Sequence, residues 1–416
     1  MKEKFKLTSL EKSWILYDIG NSAFILLVST LLPIYFNALA SGAGISESDY
    51  LAYWGYAGSV ATILVAIIGP ICGTMADWNY KKPLFLGSLA LGAIGCAALG
   101  VAWGWLSFLV IFIIARVGYN CANVFYDSML PEITTEARMD NVSTMGYALG
   151  YIGSVIPFAL CLVLVLLHDT FGMSQVTALI ISFILTAVWW VVCSVPLAKR
   201  YKQTAFHENG GKPVGESFKQ LARTFKEAKK HKHIFVYLVA FFFFIDGVYT
   251  IIDMATAYGS ALGLDSTGLL LALLVTQIVA FPFAILFGRL AKNHSSEKLI
   301  SICIMAYFGI AVFAIFLQHQ WQFWTLAVLV GMFQGGIQAL SRSYFTKIIP
   351  AEQSGEYFGL LDICGKGAAF LGTTIVSVVS QITGSMSTGV GMIALLFVIG
   401  FVLFRMAAKA PETVRK

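Results

Sequence analysis

The sequence predicts an all-α membrane protein: twelve transmembrane helices in two six-helix bundles related by pseudo-twofold symmetry. Three observations carry that prediction. First, 58% of the 416 residues are hydrophobic and only 12% are charged, and mean hydropathy is +0.78, whereas a soluble chain carries about 25% charged residues. Second, the apolar residues come in continuous blocks of about 20, the length at which a helix crosses a bilayer, and lack the period-two alternation of a membrane barrel. Third, features of the first half recur in the second at an offset of about 220 residues, the mark of a duplicated unit.

The blocks fall at roughly 14–38, 51–72, 84–103, 105–128, 144–167, 174–197, 234–258, 266–288, 298–317, 321–346, 357–380 and 387–408. The first follows a basic stretch, as a signal peptide would, but it is too long and contains Tyr17, Asp18 and Asn21. It also has no small-residue cleavage site behind it, so it reads as a retained span. The connections around 39–50, 168–174, 259–265, 318–320 and 381–386 hold no Lys or Arg. The alternate ones hold nearly all of them, among them Lys81, Lys82, Arg138, Arg342 and both termini. That asymmetry places both termini in the cytoplasm, most simply of a bacterial plasma membrane. It also accounts for the net charge of +6 as a cytoplasmic face over anionic lipid, with no call for nucleic acid.

The longest basic connection divides the chain into residues 1–197, 198–233 and 234–416. Its first part, Thr204 to Val214, reads as a flexible linker. In its second part Val214, Phe218, Leu221 and Phe225 recur at helical spacing among lysines, which predicts a helix lying on the inner leaflet; a calmodulin-type target helix is the other reading of that pattern. The seven cysteines fall in or beside spans and read as small apolar side chains rather than disulfides.

The duplication is visible in three places. Asp18 in the first span corresponds to Asp246 in the seventh, Gly73 to Lys82 resembles Gly288 to Lys298, and Leu130-Pro131 matches Ile349-Pro350. Because each unit has an even number of spans, the units run parallel about an axis along the membrane normal, an arrangement common in transporters.

Four polar stripes stand out. The fourth span carries Arg116, Tyr119, Asn120, Asn123 and Asp127 at spacings that put them on one helix face. The first carries Tyr17, Asp18, Asn21 and Ser22, the seventh Asp246, Tyr249, Thr250 and Asp253, and the tenth Gln334, Gln338, Ser341 and Arg342. Stripes on four helices converge only around a shared polar space. Their neutral members suit either the lining of that space or hydrogen bonds between helices. The ionisable ones, Asp18, Arg116 and Asp246, point to function, because a charge at mid-bilayer costs about 2.5–3.5 kcal/mol. Depth along the helices, about 1.5 Å per residue, places Arg116 and Asp246 near the midplane. There Arg116 can clamp an anionic group or form a fixed pair with Asp246. Asp18 lies nearer the cytoplasm and is the better proton carrier, Asp253 lies nearer the outside, where hydration alone accounts for it, and Asp127 can latch onto Arg138 or Arg342. Asp362 and Lys366 read as a self-neutralising helical pair, and the glycines at 146, 150 and 153 as small residues that let helices approach.

Enzyme readings find little support. All six histidines fall outside the span interiors, which argues against a His-built haem or zinc site. The Gly359–Gly367 stretch has the wrong spacing for a phosphate loop, and no cofactor is implied.

The loop Gly73…Asp77…Lys81-Lys82 resembles the signature loop of the major facilitator superfamily, with Tyr80 where the pattern has its second glycine, which leaves the turn geometry open. The segments Tyr17–Phe24, Asp246–Ile252, Gly335–Tyr344 and Gly355–Gly359 resemble the "unknown major facilitator" family, relatives of the autophagy-linked vacuolar effluxers, and the resemblance runs through nearly the whole chain. It implies the two-bundle fold and alternating access, with Gly73, Asp77, Lys81 and Lys82 in a conformational lock. Eukaryotic relatives are associated with amino-acid efflux.

The expectation is therefore a monomeric, proton-coupled secondary transporter of a small solute. Asp18 and Asp246 would couple protons; Arg116, Tyr119, Asn120, Asn123, Asn21, Asp246, Tyr249, Gln334 and Gln338 would bind substrate; Asp127, Arg138 and Arg342 would join the gate. The alternatives are an uncoupled facilitator of an amphiphile, suggested by the aromatic run Phe241 to Phe244, and a non-transporting receptor or scaffold.

Overall fold

The computed structural model of the chain describes residues 6–45, 47–206 and 231–409, which are helical almost throughout. In chain order the long helices among the described residues are α1 (Ser9–Gly42), α2 (Glu47–Met75), α3 (Lys81–Ala98), α4 (Trp105–Ser128), α5 (Glu136–Leu166), α6 (Gln175–Arg200), α7 (Lys232–Ala261), α8 (Ser266–Leu290), α9 (Ser296–Ile315), α10 (Gln320–Ile348), α11 (Ser354–Thr383) and α12 (Met386–Lys409). Ten stretches of the described residues are long and apolar enough to cross a membrane. One of them, Tyr53–Val101, runs through α2, a bent turn and α3, and α11 contributes a shorter apolar piece, Leu371–Thr383. The helical segment predicted from Val214 onward lies outside the described residues.

Several helices outrun the apolar blocks that announced them, because polar caps set their ends. At the start of α1 the Thr8 hydroxyl accepts from the Glu11 amide at 3.1 Å while the Glu11 carboxylate accepts from the Thr8 amide at 2.7 Å, a reciprocal capping box. Asp265 caps α8 and Ser295 caps α9 one way only, each side chain accepting from the amide three residues on.

Two apolar cores result. One is built from residues between Trp14 and Tyr201, the other from residues between Ile234 and Ala407 with Val124 added. Within the first, α1 packs on α5 and α6, and α3 on α4; within the second, α12 packs on α7 and α9, and α8 on α10. Between them, α5 meets α8 and α2 meets α11. The α2–α11 crossing brings Gly73 against the Gly355 carbonyl, with no room for a Cβ on either residue. The two halves therefore touch backbone to backbone at the end of α2 where the chain's basic connections lie, called the basic face below.

Candidate functional site

The α4 stripe is the accessible side of its helix. Arg116, Tyr119, Asn120, Asn123 and Asp127 are half-buried, while Val117, Gly118, Cys121, Ala122 and Val124 among them are buried. Facing it from α1, the Tyr17 hydroxyl donates to Asn123 Oδ1 at 3.2 Å and Asn21 Nδ2 donates to the same oxygen at 2.8 Å. Tyr119 packs against Phe24 and Trp190. In the second half Tyr249 and Gln338 are half-buried and Gln334 is buried. The Tyr151 hydroxyl of α5 donates to Gln338 Oε1 at 3.2 Å, so one of the two glutamines already bridges the halves. The aromatic run contributes less than its sequence suggested: Phe241 and Phe244 lie in the second core.

Of the two roles open to Arg116, the fixed pair with Asp246 does not form. Asp246 is fully buried; its Oδ1 accepts from the Thr250 hydroxyl at 3.2 Å and the Gly372 amide at 3.0 Å, and its Oδ2 has no hydrogen-bond partner. The carboxylate that Arg116 senses is Asp253, two helical turns further along α7 and exposed. Arg116 lies over the Phe112 ring, 6.0 Å from its centroid, and no direct ion pair closes between it and Asp253. Arg116 and Asp253 thus interact electrostatically across the halves without closing an ion pair.

The charge locked in place is Arg342. At 5% exposure its Nη1 donates to Asp127 Oδ1 at 2.9 Å, its Nε to Ser143 Oγ at 3.0 Å and its Nη2 to the Ser143 carbonyl at 3.1 Å. Nη2 also stands 3.5 Å from Asp18 Oδ2. The guanidinium carbon lies 4.4 Å from the Tyr147 ring, 4.6 Å from Trp14 and 5.6 Å from Tyr126. Of the two latches open to Asp127, the one with Arg342 forms. Arg138 instead pairs with Glu11 at 2.7 Å and donates to the Lys6 carbonyl, both within the first half.

Two further locks lie on the basic face. Asp77 accepts the amides of Gly355 and Glu356 at 2.8 and 2.9 Å, capping the N-terminus of α11, where unpaired N–H groups and the helix dipole favour an anion. Lys81, fully buried, donates to Glu132 at 2.8 Å and to Ser354 Oγ at 2.9 Å. Lys82 does not cross; it donates to the Tyr201 carbonyl. The missing second glycine is made good one residue earlier, where Asn79 takes the left-handed conformation, φ 69°. The Glu132 carboxylate also accepts from the Tyr201 hydroxyl, and burial together with that carboxylate pushes the hydroxyl's pKa well above its usual range.

The second lock escaped sequence reasoning. Asp140 of α5 accepts from Ser343 Oγ at 2.6 Å and Ser296 Oγ at 2.9 Å and pairs with Lys347. It stands just ahead of the fifth apolar block beside Arg138, where a charge reads as an ordinary loop residue. Its only sequence signal is the helical start at Glu136. Ser143, hidden in a polar run, likewise carried no signal.

Over residues 9–411 the chain matches the family described as "Vacuole effluxer Atg22 like". A protein of Bacillus subtilis described as the uncharacterized MFS-type transporter YxiO is 39% identical over 414 residues, covering 98% of this chain and 97% of that one. Autophagy-related protein 22-2 of Aspergillus clavatus is 24% identical over 296 residues, 64% of this chain and 47% of that longer protein. Among solved structures, the major facilitator transporter FucP in its outward conformation aligns with a TM-score of 0.72 at 15% identity, over 97% of this chain and 98% of that one, a likeness of fold.

Proposed function

The chain belongs to the Atg22-like vacuole effluxer family of major facilitator transporters, and from that membership we propose a secondary active transporter that moves a small solute by alternating access. On this reading the twelve long helices form two bundles, residues 1–197 and 234–416, joined by 198–233 and rocking about the pathway. The chain acts as a monomer in a bacterial plasma membrane with its termini in the cytoplasm. The conformation described is closed toward the cytoplasm, since the Asp77, Asp140 and Arg342 contacts bind the halves there, while Asp253 is exposed nearer the other end.

The observation that carries the reading is the unclosed Arg116–Asp253 pair beside the half-buried stripe of α4. A carboxylate of the solute can take both donors of the Arg116 fork, and an ammonium group can take Asp253. That arrangement suits amino acids or related organic ions, the cargo class that family resemblance suggests. Proton coupling falls to Asp18 and Asp246. Asp246 is buried with no cation beside it among the described residues, and a carboxylate in such a site is far cheaper to hold protonated than charged. The path for efflux runs from the Arg342 gate past Asn123 and Asn21 to Arg116.

A second reading, an uncoupled facilitator of an amphiphile, draws on an apolar cavity of about 90 Å³ in the second half, lined by residues such as Ile252, Met254, Leu273, Gln334 and Ile393. One series of measurements separates the two. A thermal-shift screen of amino acids, organic ions and amphiphiles identifies ligands by mass action, and the hit is then followed into proteoliposomes. Coupled transport requires flux that follows an imposed pH gradient, with the response lost in Asp18→Asn or Asp246→Asn. Flux indifferent to the gradient and to both substitutions removes the coupling.

A further inference from the structure

We propose that the pocket now filled by Arg342 is a binding site for the guanidinium or ammonium group of an organic cation, which occupies it when the basic face opens and Arg342 withdraws. The inference rests on the alternating-access reading above and adds a site and a ligand class to it.

The first argument is who builds the pocket. Its walls are Trp14 and Asp18 from α1, Tyr126 and Asp127 from α4, and Ser143 and Tyr147 from α5, all in the first half. Arg342 of α10 enters from the second half. Any movement that parts the halves on this face therefore separates a finished box from its plug. The box does not need the plug to hold its shape: Trp14 Nε1 donates to the Tyr126 carbonyl at 3.0 Å, and their rings stack with centroids 4.3 Å apart. Tyr17 leans on Tyr126 from the other side at 4.5 Å.

The second argument is chemical. Two carboxylates, a hydroxyl and a carbonyl as acceptors, and three aromatic faces together make a receptor for a planar or compact cation. Gly146 completes it, since a Cβ there would stand 2.7 Å from Asp18 Oδ2 and 3.2 Å from Arg342 Nη2. The third argument is an imbalance. One guanidinium serves two carboxylates unequally: it donates to Asp127 at 2.9 Å but stands 3.5 Å from Asp18 Oδ2, which accepts no hydrogen bond among the described residues, so the box has an acceptor its present occupant reaches only loosely. When Arg342 leaves, two partly buried carboxylates lose their cation, a state that costs several kcal/mol unless another positive group arrives. A solute cation entering from the basic face supplies that group, and the return of Arg342 displaces it toward Asn123, Arg116 and Asp253. Arg342 thus works as an internal competitor of the cargo.

The test uses purified full-length protein and two small probes of matched shape, methylguanidinium and neutral methylurea. Arg342→Ala empties the box. Methylguanidinium should then raise the melting temperature by about 1–2 °C at roughly tenfold over its Kd, methylurea should not, and adding Asp127→Asn should abolish the shift. Arg342→Gln serves as a second variant if the alanine form does not fold. In the unmodified protein, methylguanidinium should speed hydrogen exchange of the Gly355 and Glu356 amides, now held by Asp77, by about threefold or more. Equal responses to both probes, a shift retained after Asp127→Asn, or exchange unchanged at concentrations that saturate the variant would each overturn the proposal. Both readouts report binding, not flux. A protein that answers methylguanidinium as described yet moves no solute keeps the cation site and loses the transport reading.

Discussion

Arg116 and Arg342 occupy the fourth long helix of their respective halves, yet the fold uses them in opposite ways. Arg342 reaches across the halves, meets Asp127 and Asp18, and closes two of its remaining donors on Ser143. Arg116 sits about 16 Å up α4 from Asp127 at 1.5 Å per residue, half-buried, facing a carboxylate it does not touch. The difference teaches what each is for. A buried arginine that donates from all three of its nitrogens resists separation of the elements it joins, because parting them strands charges in a poor solvent for ions. A half-buried one facing an unmet opposite charge leaves room for a third party carrying both signs.

The largest expected effect comes from breaking the satisfied member. Arg342→Ala strands Asp18 and Asp127 and should cost about 3–5 kcal/mol of stability, read by thermal or denaturant melting, with directed transport lost as well. Arg116→Gln should behave in the opposite sense. Its melting curve should stay close to that of the parent protein, while ligand affinity falls by about 1.5–3 kcal/mol, the worth of charge-assisted hydrogen bonds, measured by titration of the hit from the thermal-shift screen. If Arg116→Gln instead melts far lower with affinity intact, the contrast between the two arginines collapses.

Gly146→Ala is a finer probe of the Arg342 side. Its new methyl meets Asp18 Oδ2 and Arg342 Nη2 and should cost about 1–2 kcal/mol by overpacking, an effect that vanishes in an Arg342→Ala background if the guanidinium is what the methyl strikes. The smallest effect belongs to the turn that aims Asp77. Asn79→Ala at φ 69° should cost about 1 kcal/mol, and Asn79→Gly should cost little. Exchange at the Gly355 amide is the sensitive readout for both.

Much of the site could be read in advance, and the parts that could not share a cause. The polar stripe of α4 was legible because helical periodicity alone decides which residues share a face, and those residues are the half-buried ones. The signature loop was legible because Asp77 and Lys81 carry their chemistry in sequence. Its turn was not, since Asn79 assumes the left-handed role expected of the following position. The partner of Arg116 was missed because depth along two separate helices predicts level, not rotation. Asp246 lies at a suitable depth but turns toward Gly372 of α11, whereas Asp253 is exposed. Asp140 was missed because a carboxylate at a helix start looks alike whether it meets water or a lysine about 200 residues away.

The sequence by itself therefore determined the solvent of this protein, its helices and their polar faces, because hydrophobicity, capping and period are local properties of the chain. It also marked the duplication that makes Arg116 and Arg342 comparable. Only the tertiary structure decided which arginine is bound and which waits. That choice depends on how α4, α5, α7, α10 and α11 rotate against one another, and such rotations are set by packing between residues far apart in the chain.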